Sequence, residues 1–111
     1  MSYRIAFASS DGKVVNQHFG RAKKFIIFEI EGSSAEFVEL RDNKPACEGF
    51  EHSEKALNRS VETLSDCRAV FVTQIGYGAL AALQAKGIRA YEAPGLINEV
   101  LGKIIASELK I

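Results

Sequence analysis

Two histidines and a cysteine are the side chains of this sequence that could bind a transition metal together. His18 lies in the stretch NQHFGRAKKF, and Cys47 and His52 are separated by four residues in the stretch DNKPACEGFEH. Thiolate and imidazole ligands suit iron, copper, zinc or a metal cluster. A structural zinc site or a permanent iron–sulfur cluster normally takes four protein ligands, so three candidates favour partial ligation of a preassembled cluster. The alternative for each side chain is an ordinary solvated or structural role.

The residues that follow the first histidine could complete an anion-binding loop. Arg21 has planar donors that could meet a sulfide or carboxylate of an anionic ligand, whereas Lys23 and Lys24 equally fit a solvated face. Phe19 is expected to anchor the loop or to contact a cofactor, and Gly20 is expected to allow a tight backbone approach or a positive φ. The predicted cofactor-binding set in this loop is His18, Phe19, Gly20 and Arg21.

A second candidate for anion binding is the stretch Gly76-Tyr77-Gly78, which lies between a predicted strand and a predicted helix. Backbone N–H groups at a helix start can bind an anion, and we predict that Gly76 and Gly78 contact the cofactor. The pattern is not a dinucleotide fingerprint, because position 81 is alanine and Ala90-Tyr91 stands where an acidic ribose partner is expected. Close packing of the helix on the sheet is the alternative role of these glycines.

Hydrophobic periodicity predicts an α/β protein of one domain over residues 1–111. Strands are expected where apolar, β-branched or aromatic residues run together, and helices where apolar residues recur at helical spacing. The predicted strands are residues 3–9, 25–31, 36–41, 69–73 and 88–91. The predicted helices begin at an N-cap at Ser53, at Gly76 and after Pro94-Gly95, and the last has an apolar stripe from Ile97 to Leu109. The order is β-β-β-α-β-α-β-α, with a mixed five-stranded sheet.

Strand directions determine which loops meet. Hairpin connections reverse direction and right-handed crossovers preserve it, so strands one, three, four and five run the same way and strand two runs against them. The loops after those four strands then open at one edge of the sheet, where ligands of α/β proteins usually bind. His18, Cys47, His52 and the helix start at Gly76 fall at this edge. Cys67 enters the fourth strand from the opposite edge and is not expected to share the site.

Composition argues against several classes of partner. Fourteen basic and fourteen acidic residues cancel, so no global field favours nucleic acid or an anionic membrane. The N-terminus lacks a signal-peptide pattern, and no apolar stretch is long enough to span a membrane. These features predict a cytoplasmic protein whose two cysteines are reduced.

Enzyme activity is not expected, and no catalytic residue is predicted. A two-metal nuclease needs several converging carboxylates, but Asp11 lies in a loop and the fourth strand, AVFVT, has no acidic residue. A nucleophilic role of Cys47, with His52 or His18 as the base, lacks a recognisable oxyanion hole.

Two motifs resemble those of the dinitrogenase iron–molybdenum cofactor biosynthesis family, which includes NifX, NafY, the C-terminal domain of NifB and a molybdenum–copper orange protein. The first motif is DG…V…HFG.A..F, matched by Asp11, Gly12, Val15, His18, Phe19, Gly20, Ala22 and Phe25. The second is IG.GA, matched by Ile75, Gly76, Gly78 and Ala79. The likeness covers nearly all of the chain.

The resemblance implies a ribonuclease H-like α/β fold without nuclease activity. It implies that the protein binds, stores or transfers an iron–molybdenum cofactor, its precursor or a related sulfide cluster of molybdenum with iron or copper. Donor and acceptor proteins of the cluster are the implied partners, and nitrogen fixation is the implied context. The alternative is a metal-free module for protein interaction or regulation on the same fold. The expected oligomeric state is a monomer or a weak homodimer.

Overall fold

Five strands form one mixed sheet, with helices on both of its faces, in a computed structural model that describes residues 2–43 and 54–106. The strands are β1 (Ser2–Ala8), β2 (Val14–Val15), β3 (Lys24–Glu31), β4 (Ser34–Asp42), β5 (Cys67–Val72), β6 (Arg89–Glu92) and β7 (Gly95–Leu96). The helices are α1 (Glu54–Thr63), α2 (Tyr77–Ala85) and α3 (Ile97–Ile105), and a 3₁₀ turn spans Phe19–Arg21. β2 and β7 pair with each other, outside the main sheet.

The main sheet has the strand order β4-β3-β1-β5-β6. β3 runs antiparallel to β1 and to β4, while β5 is parallel to β1 and β6 is parallel to β5. The carboxyl ends of β1, β4, β5 and β6 therefore lie at one edge, which we call the upper edge, together with the start of β3. The opposite edge is the lower edge. This arrangement confirms the predicted mixed five-stranded sheet and its strand directions.

The two faces of the sheet pack against different helices, because neighbouring residues of a strand point to opposite sides. On the first face, Ala6 and Phe25 belong to one buried cluster with Val61 of α1 and Leu83 of α2. Helix α3 covers the second face, which we call the α3 face. The buried side chains of this helix are Ile97, Val100, Leu101 and Ile104. The predicted apolar stripe of the last helix is therefore confirmed over its described part.

One aromatic residue from each main-sheet strand contributes to a row across the α3 face. Its members, in order, are Phe37, Phe28, Phe7, Phe71 and Tyr91. Phe7 stacks on Phe71 with ring centroids 5.0 Å apart, and Phe71 stacks on Tyr91 at 5.1 Å. Edge-to-face contacts join Phe28 to Phe7 at 5.7 Å and to Phe37 at 6.1 Å. The aromatic row thus links all five strands, with buried rings in the middle and Phe37 60% exposed at one end.

Short elements account for the differences from the predicted order. β2 and β7 form an antiparallel ribbon that the sequence pattern does not predict, because two residues are too few to show a periodicity. The described residues therefore contain two strands more than the predicted order. Ser53 and Leu109, the expected N-cap and the end of the expected stripe, lie outside the described residues. Within the described ranges, no helix is both long and apolar enough to cross a membrane.

Candidate functional site

The loop after β1 folds around the side chains of Ser9 and Asp11. The Ser9 hydroxyl accepts a hydrogen bond from the Gly12 N–H at 2.9 Å. One Asp11 carboxylate oxygen accepts from the N–H groups of Lys13 at 2.9 Å and Val14 at 3.1 Å. Gly12 has a φ of +77°, a left-handed conformation that strongly favours glycine. The Asp-Gly pair of the first motif is therefore a turn that directs the chain into β2.

The same hydrogen bonds control the ionisation of Asp11. The N–H groups of Lys13 and Val14 stabilise the carboxylate and lower the pKa of Asp11 below its ordinary value. The role that the structure shows for this acid is to form the turn, because its oxygen already accepts bonds within its own loop.

His18 lies at the upper edge, directly before the 3₁₀ turn, and is exposed. Main-chain hydrogen bonds on both sides of it hold the chain against the connection between β5 and α2. The Thr73 N–H donates to the Gln17 carbonyl oxygen at 3.0 Å, and the Phe19 N–H donates to the Gln74 carbonyl oxygen at 3.0 Å. We call these two bonds the backbone clamp. They fix the position of residue 18 through groups that a substitution of His18 does not remove.

Phe19 anchors the same loop in the core. Its ring is fully buried and packs against Phe25 with centroids 6.0 Å apart, which favours the anchoring role over direct contact with a surface ligand. Gly20 lies inside the 3₁₀ turn, where φ is negative, so the alternative of a positive φ at this position is wrong. Arg21 is exposed, and its N–H closes the turn on the His18 carbonyl oxygen at 3.1 Å.

A second set of hydrogen bonds joins this loop to the end of β4. The Lys23 N–H donates to the side-chain oxygen of Gln17 at 3.2 Å. Asn43 donates its N–H to the Lys23 carbonyl oxygen and its side-chain amide to the Ala22 carbonyl oxygen, both at 2.8 Å. The chain segments that follow β1, β4 and β5 therefore meet at the upper edge, as the strand directions predict.

The loop after β6 reaches the same place through Glu92. Its carboxylate accepts a hydrogen bond from the Ile75 N–H at 3.1 Å, and the next N–H, of Ala93, donates to the Val72 carbonyl oxygen at 2.8 Å. Sequence reasoning does not identify Gln17, Asn43 or Glu92 as positioning residues. The available signal is weak, since each is only a polar residue next to the end of a predicted strand or loop.

Gly76 and Gly78 flank Tyr77 at the start of α2. Gly76 is the N-cap residue with a φ of −82°, so its backbone conformation does not require glycine. A Cβ atom at either glycine would meet nothing within 4 Å, and close helix packing is therefore not their role. Both glycines are exposed, so the first N–H groups of α2, which have no partner within the helix, lie at an open surface.

A shallow cavity of about 430 Å³ opens beside this helix start. It is lined by Ile75, Gly76, Tyr77, Leu80, Ala90 and Glu92. Its volume is within the range of small-molecule pockets. Gln74 directly precedes this lining, and the backbone clamp joins Gln74 to the residue after His18. The cavity and the exposed histidine therefore adjoin the same connection between β5 and α2.

Exposed cations lie around the His18 loop. Arg21, Lys23 and Lys24 are exposed, and no ion pair joins any of them to another residue of the described ranges. Lys24 lies opposite Asp42 in the β3–β4 ladder, which partly offsets its charge. Arg21, on the turn that begins at His18, is therefore the cation best placed to meet an anionic ligand.

Two of the three predicted metal ligands, Cys47 and His52, lie outside the described residues. Their segment begins after Asn43, at the upper edge. Among residues 2–43 and 54–106, no three side chains of His, Cys, Asp or Glu come together as a metal site. Partial ligation by His18, with further donors from residues 44–53, stays a prediction.

Cys67 is at the lower edge, where it is the first residue of β5. It is buried, and its Sγ lies 3.7 Å from the carboxylate of Asp66. Arg41 donates two hydrogen bonds, of 2.6 and 2.7 Å, to the same carboxylate. Burial, followed by the negative charge of Asp66, raises the pKa of Cys67 to about 12. The expectation that Cys67 stands apart from His18 is confirmed by this placement.

We expect Cys67 to resist alkylation while the protein is folded. A pKa of about 12, against an ordinary value of 9.0, leaves roughly a thousandfold less reactive thiolate at neutral pH. Iodoacetamide labelling of a Cys47→Ser variant, followed by mass spectrometry, measures this protection, with the same protein in urea as the fully labelled control. Labelling at equal rates in the two states would contradict the buried position of Cys67.

The same thiol makes stability depend on pH in the alkaline range. As the pH rises through 9.0, the unfolded chain loses the Cys67 proton, while the folded chain keeps it up to a pKa of about 12. The contribution of Cys67 to the free energy of unfolding is therefore full below pH 9.0 and is lost as the pH rises towards 12.

Comparison with known proteins identifies the family. A family model described as dinitrogenase iron-molybdenum cofactor matches residues 1–107. The match covers every described element, including the His18 loop and the start of α2. The chain belongs to this family.

Individual relatives agree with this assignment. The chain is 38% identical over 103 residues to the FeMo cofactor biosynthesis protein NifB of Frankia alni, and the match covers 90% of this chain and 20% of that protein. It is 30% identical over 105 residues to NifX of Klebsiella pneumoniae, which covers 89% of this chain and 65% of NifX. The chain thus spans about a fifth of the length of the NifB protein that it matches.

A solved structure shows the same fold. The apo form of the orange protein of Desulfovibrio gigas superposes with a TM-score of 0.71 and 23% sequence identity. The superposition covers 97% of this chain and 91% of the orange protein. The shared architecture therefore extends over nearly the whole of both chains.

Proposed function

We propose that this protein binds an iron–molybdenum cofactor, its precursor or a related metal–sulfide cluster, and transfers it between proteins during metallocluster biosynthesis. The observation that carries the proposal is the backbone clamp, which holds the exposed His18 next to the open start of α2. Arg21 adds a cation on the same turn. The relationship to NifB, a protein named for FeMo cofactor biosynthesis, supports the same cargo.

The chemistry of the upper edge suits cargo that must later leave. A neutral imidazole is a donor for iron, copper and related metals, and a guanidinium can meet the sulfides or carboxylates of an anionic cluster. His18 and Arg21 are both exposed, so a bound cluster stays accessible to a receiving protein. A ligand set that uses few protein donors also leaves coordination positions open for that transfer.

In this function the protein is a carrier rather than an enzyme, and it acts as one domain over residues 1–111 in the cytoplasm. Its partners are proteins that donate and accept the cluster. The engagement of the Asp11 carboxylate in its own turn supports a non-catalytic role. The antiparallel meander β4-β3-β1, followed by the parallel strands β5 and β6, supports a ribonuclease H-like description of the fold.

An anaerobic titration of the metal-free protein tests this function. Isolated iron–molybdenum cofactor is added in one series, and tetrathiomolybdate with copper in another. We expect one cluster per chain to remain with the protein through gel filtration, as measured by visible absorption and metal analysis. If the protein retains neither cluster, the carrier function is wrong, and the metal-free interaction or regulatory module becomes the better account of the same loops.

A further inference from the structure

A second cavity, of about 540 Å³, lies on the α3 face of the sheet, between α3 and the loop that joins β6 to β7. We call it the α3 cavity, and its volume is within the range of cavities that hold small molecules. The residues that line it include Tyr91, Pro94, Leu96, Glu99, Val100 and Lys103. The cavity beside the start of α2 opens on the other face of the sheet, where Ile75 and Ala90 pack. The two cavities are therefore separate sites.

The floor of the α3 cavity is apolar and firmly packed. Tyr91 stacks on the buried ring of Phe71 with centroids 5.1 Å apart, and Val100 is a buried residue of the same cluster. Leu96, at the rim, is 48% exposed, so about half of its surface is open to a ligand. A buried apolar floor with an exposed apolar rim suits a ligand that carries an apolar group.

The wall between β6 and α3 is held at both ends by main-chain hydrogen bonds. At one end the Ala93 N–H donates to the Val72 carbonyl oxygen at 2.8 Å, and at the other the Ile97 N–H donates to the Lys13 carbonyl oxygen at 2.9 Å. Between these two bonds, β7 pairs with β2. The cavity is thus formed before a ligand binds, and binding does not have to order this loop.

Two opposite charges on α3 line the same cavity. Glu99 and Lys103 lie four residues apart and therefore on one side of the helix. A glutamate one turn before a lysine ordinarily pairs with it, but within the described residues neither side chain forms an ion pair. Glu92 also borders the cavity, but its carboxylate already accepts the Ile75 N–H on the side of the sheet covered by α2. Glu99 and Lys103 are therefore the charges available to a ligand.

We propose that the α3 cavity binds a free amino acid with an apolar side chain. The ammonium group of the ligand meets the Glu99 carboxylate, and the carboxylate of the ligand meets the Lys103 ammonium group. The side chain of the ligand lies against Leu96 and Val100. A ligand with a single charge would satisfy one of the two charged side chains and leave the other without a partner. An anionic metal–sulfide cluster fits less well, because Glu99 repels it.

This site does not depend on the proposed carrier function. Neither His18 nor Arg21 lines the α3 cavity, and binding to it is measured with the metal-free protein. Loss of cluster retention in His18→Ala would leave the binding of an amino acid unchanged. Absence of amino-acid binding would likewise leave the carrier function untouched, so the failures of the two proposals are distinguishable.

Titration of the isotope-labelled, metal-free protein with L-phenylalanine tests the proposal through NMR chemical shifts. We expect saturable binding with a dissociation constant below about 1 mM. The backbone signals of residues 91–103 should shift, and those of residues 17–21 should not.

Two derivatives of the same amino acid test the need for both charges. L-Phenylalaninamide lacks the carboxylate, and N-acetyl-L-phenylalanine lacks the ammonium group. Each should bind at least about tenfold more weakly than L-phenylalanine, because each loses one charge-assisted hydrogen bond. The two derivatives also represent the first and the last residue of a peptide, so they distinguish a free amino acid from a chain terminus.

Glu99→Gln and Lys103→Gln separate the two charges. Glu99→Gln should weaken the binding of L-phenylalanine at least about tenfold without weakening that of N-acetyl-L-phenylalanine. Lys103→Gln should weaken the binding of L-phenylalanine by a similar factor without weakening that of L-phenylalaninamide. Both side chains are exposed, so neither change should disturb folding. Glu36→Gln, at an exposed position of β4, is the matched control and should bind like the wild type.

Three results would overturn the proposal. The first is the absence of saturable binding of L-phenylalanine up to its limit of solubility. The second is equal binding of L-phenylalanine and either derivative, which would assign the cavity to a chain terminus or to a ligand with one charge. The third is an affinity for L-phenylalanine that Glu99→Gln and Lys103→Gln leave at the wild-type value, which would place the binding on another surface.

Discussion

Phe71→Ala is expected to lower the free energy of unfolding by about 3–5 kcal/mol. Phe71 is fully buried and stacks on Phe7 at 5.0 Å and on Tyr91 at 5.1 Å. Truncation therefore removes both ring contacts and leaves a cavity in the middle of the aromatic row. Since the total stability of a domain is about 5–15 kcal/mol, this single change removes a large part of it.

Urea unfolding followed by circular dichroism measures this loss as a lower midpoint with an unchanged slope. Phe37→Ala is the matched control, because it truncates the same residue type in the same row at a position that is 60% exposed. We expect this control to lose less than about 1 kcal/mol, as surface changes usually do. Equal losses in the two variants would mean that the middle of the row is not the buried core described above.

His18→Ala is expected to weaken retention of the cluster at least about tenfold, the effect typical of disturbing a metal ligand or its support. The variant should keep the stability of the wild type within about 0.5 kcal/mol, because the side chain is exposed and the backbone clamp uses main-chain groups. The anaerobic titration gives the first quantity, and urea unfolding gives the second. A loss of retention without a loss of stability assigns His18 to binding rather than to folding.

Three further variants complete this experiment. Cys67→Ser changes a thiol at the lower edge and should retain the cluster like the wild type. Lys24→Ala removes a cation that lies opposite Asp42. It should reduce retention of the cluster less than Arg21→Ala does, because Arg21→Ala removes the cation on the turn itself. Equal losses in His18→Ala and Cys67→Ser would show that the cluster does not bind at the upper edge.

The sequence predicts the architecture of the upper edge because strand directions follow from connection types. A hairpin reverses the chain and a crossover preserves its direction, so the grouping of the loops after β1, β4, β5 and β6 needs no knowledge of side-chain packing. The position of His18 at this edge, and of Cys67 at the other, follows from the same rule. The chemical character of the site stays a prediction, in which histidine and arginine within one loop indicate an anionic or metal-containing ligand.

The sequence does not predict how the site is held. The backbone clamp joins main-chain groups of Gln17 and Phe19 to those of Thr73 and Gln74, and main-chain partners leave no signature in residue types. The open space around Gly76 is also not predictable from residue types, because it depends on the path of α2 over the sheet. The aromatic row requires a register across five strands, which local periodicity cannot supply. Each of these features is non-local, and this is why they emerge only in the folded chain.

The backbone clamp separates the shape of the upper edge from the identity of the side chain at position 18, the proposed donor. Phe19 and the main-chain bonds keep the loop in place, while the neighbouring side chain is free to vary without a large loss of stability. Replacement of His18 by cysteine or methionine would favour softer metals, and replacement of His18 by aspartate would favour harder ones. Under the proposed function, a substitution at this one exposed residue would therefore change the metal preference of the site without rebuilding the fold.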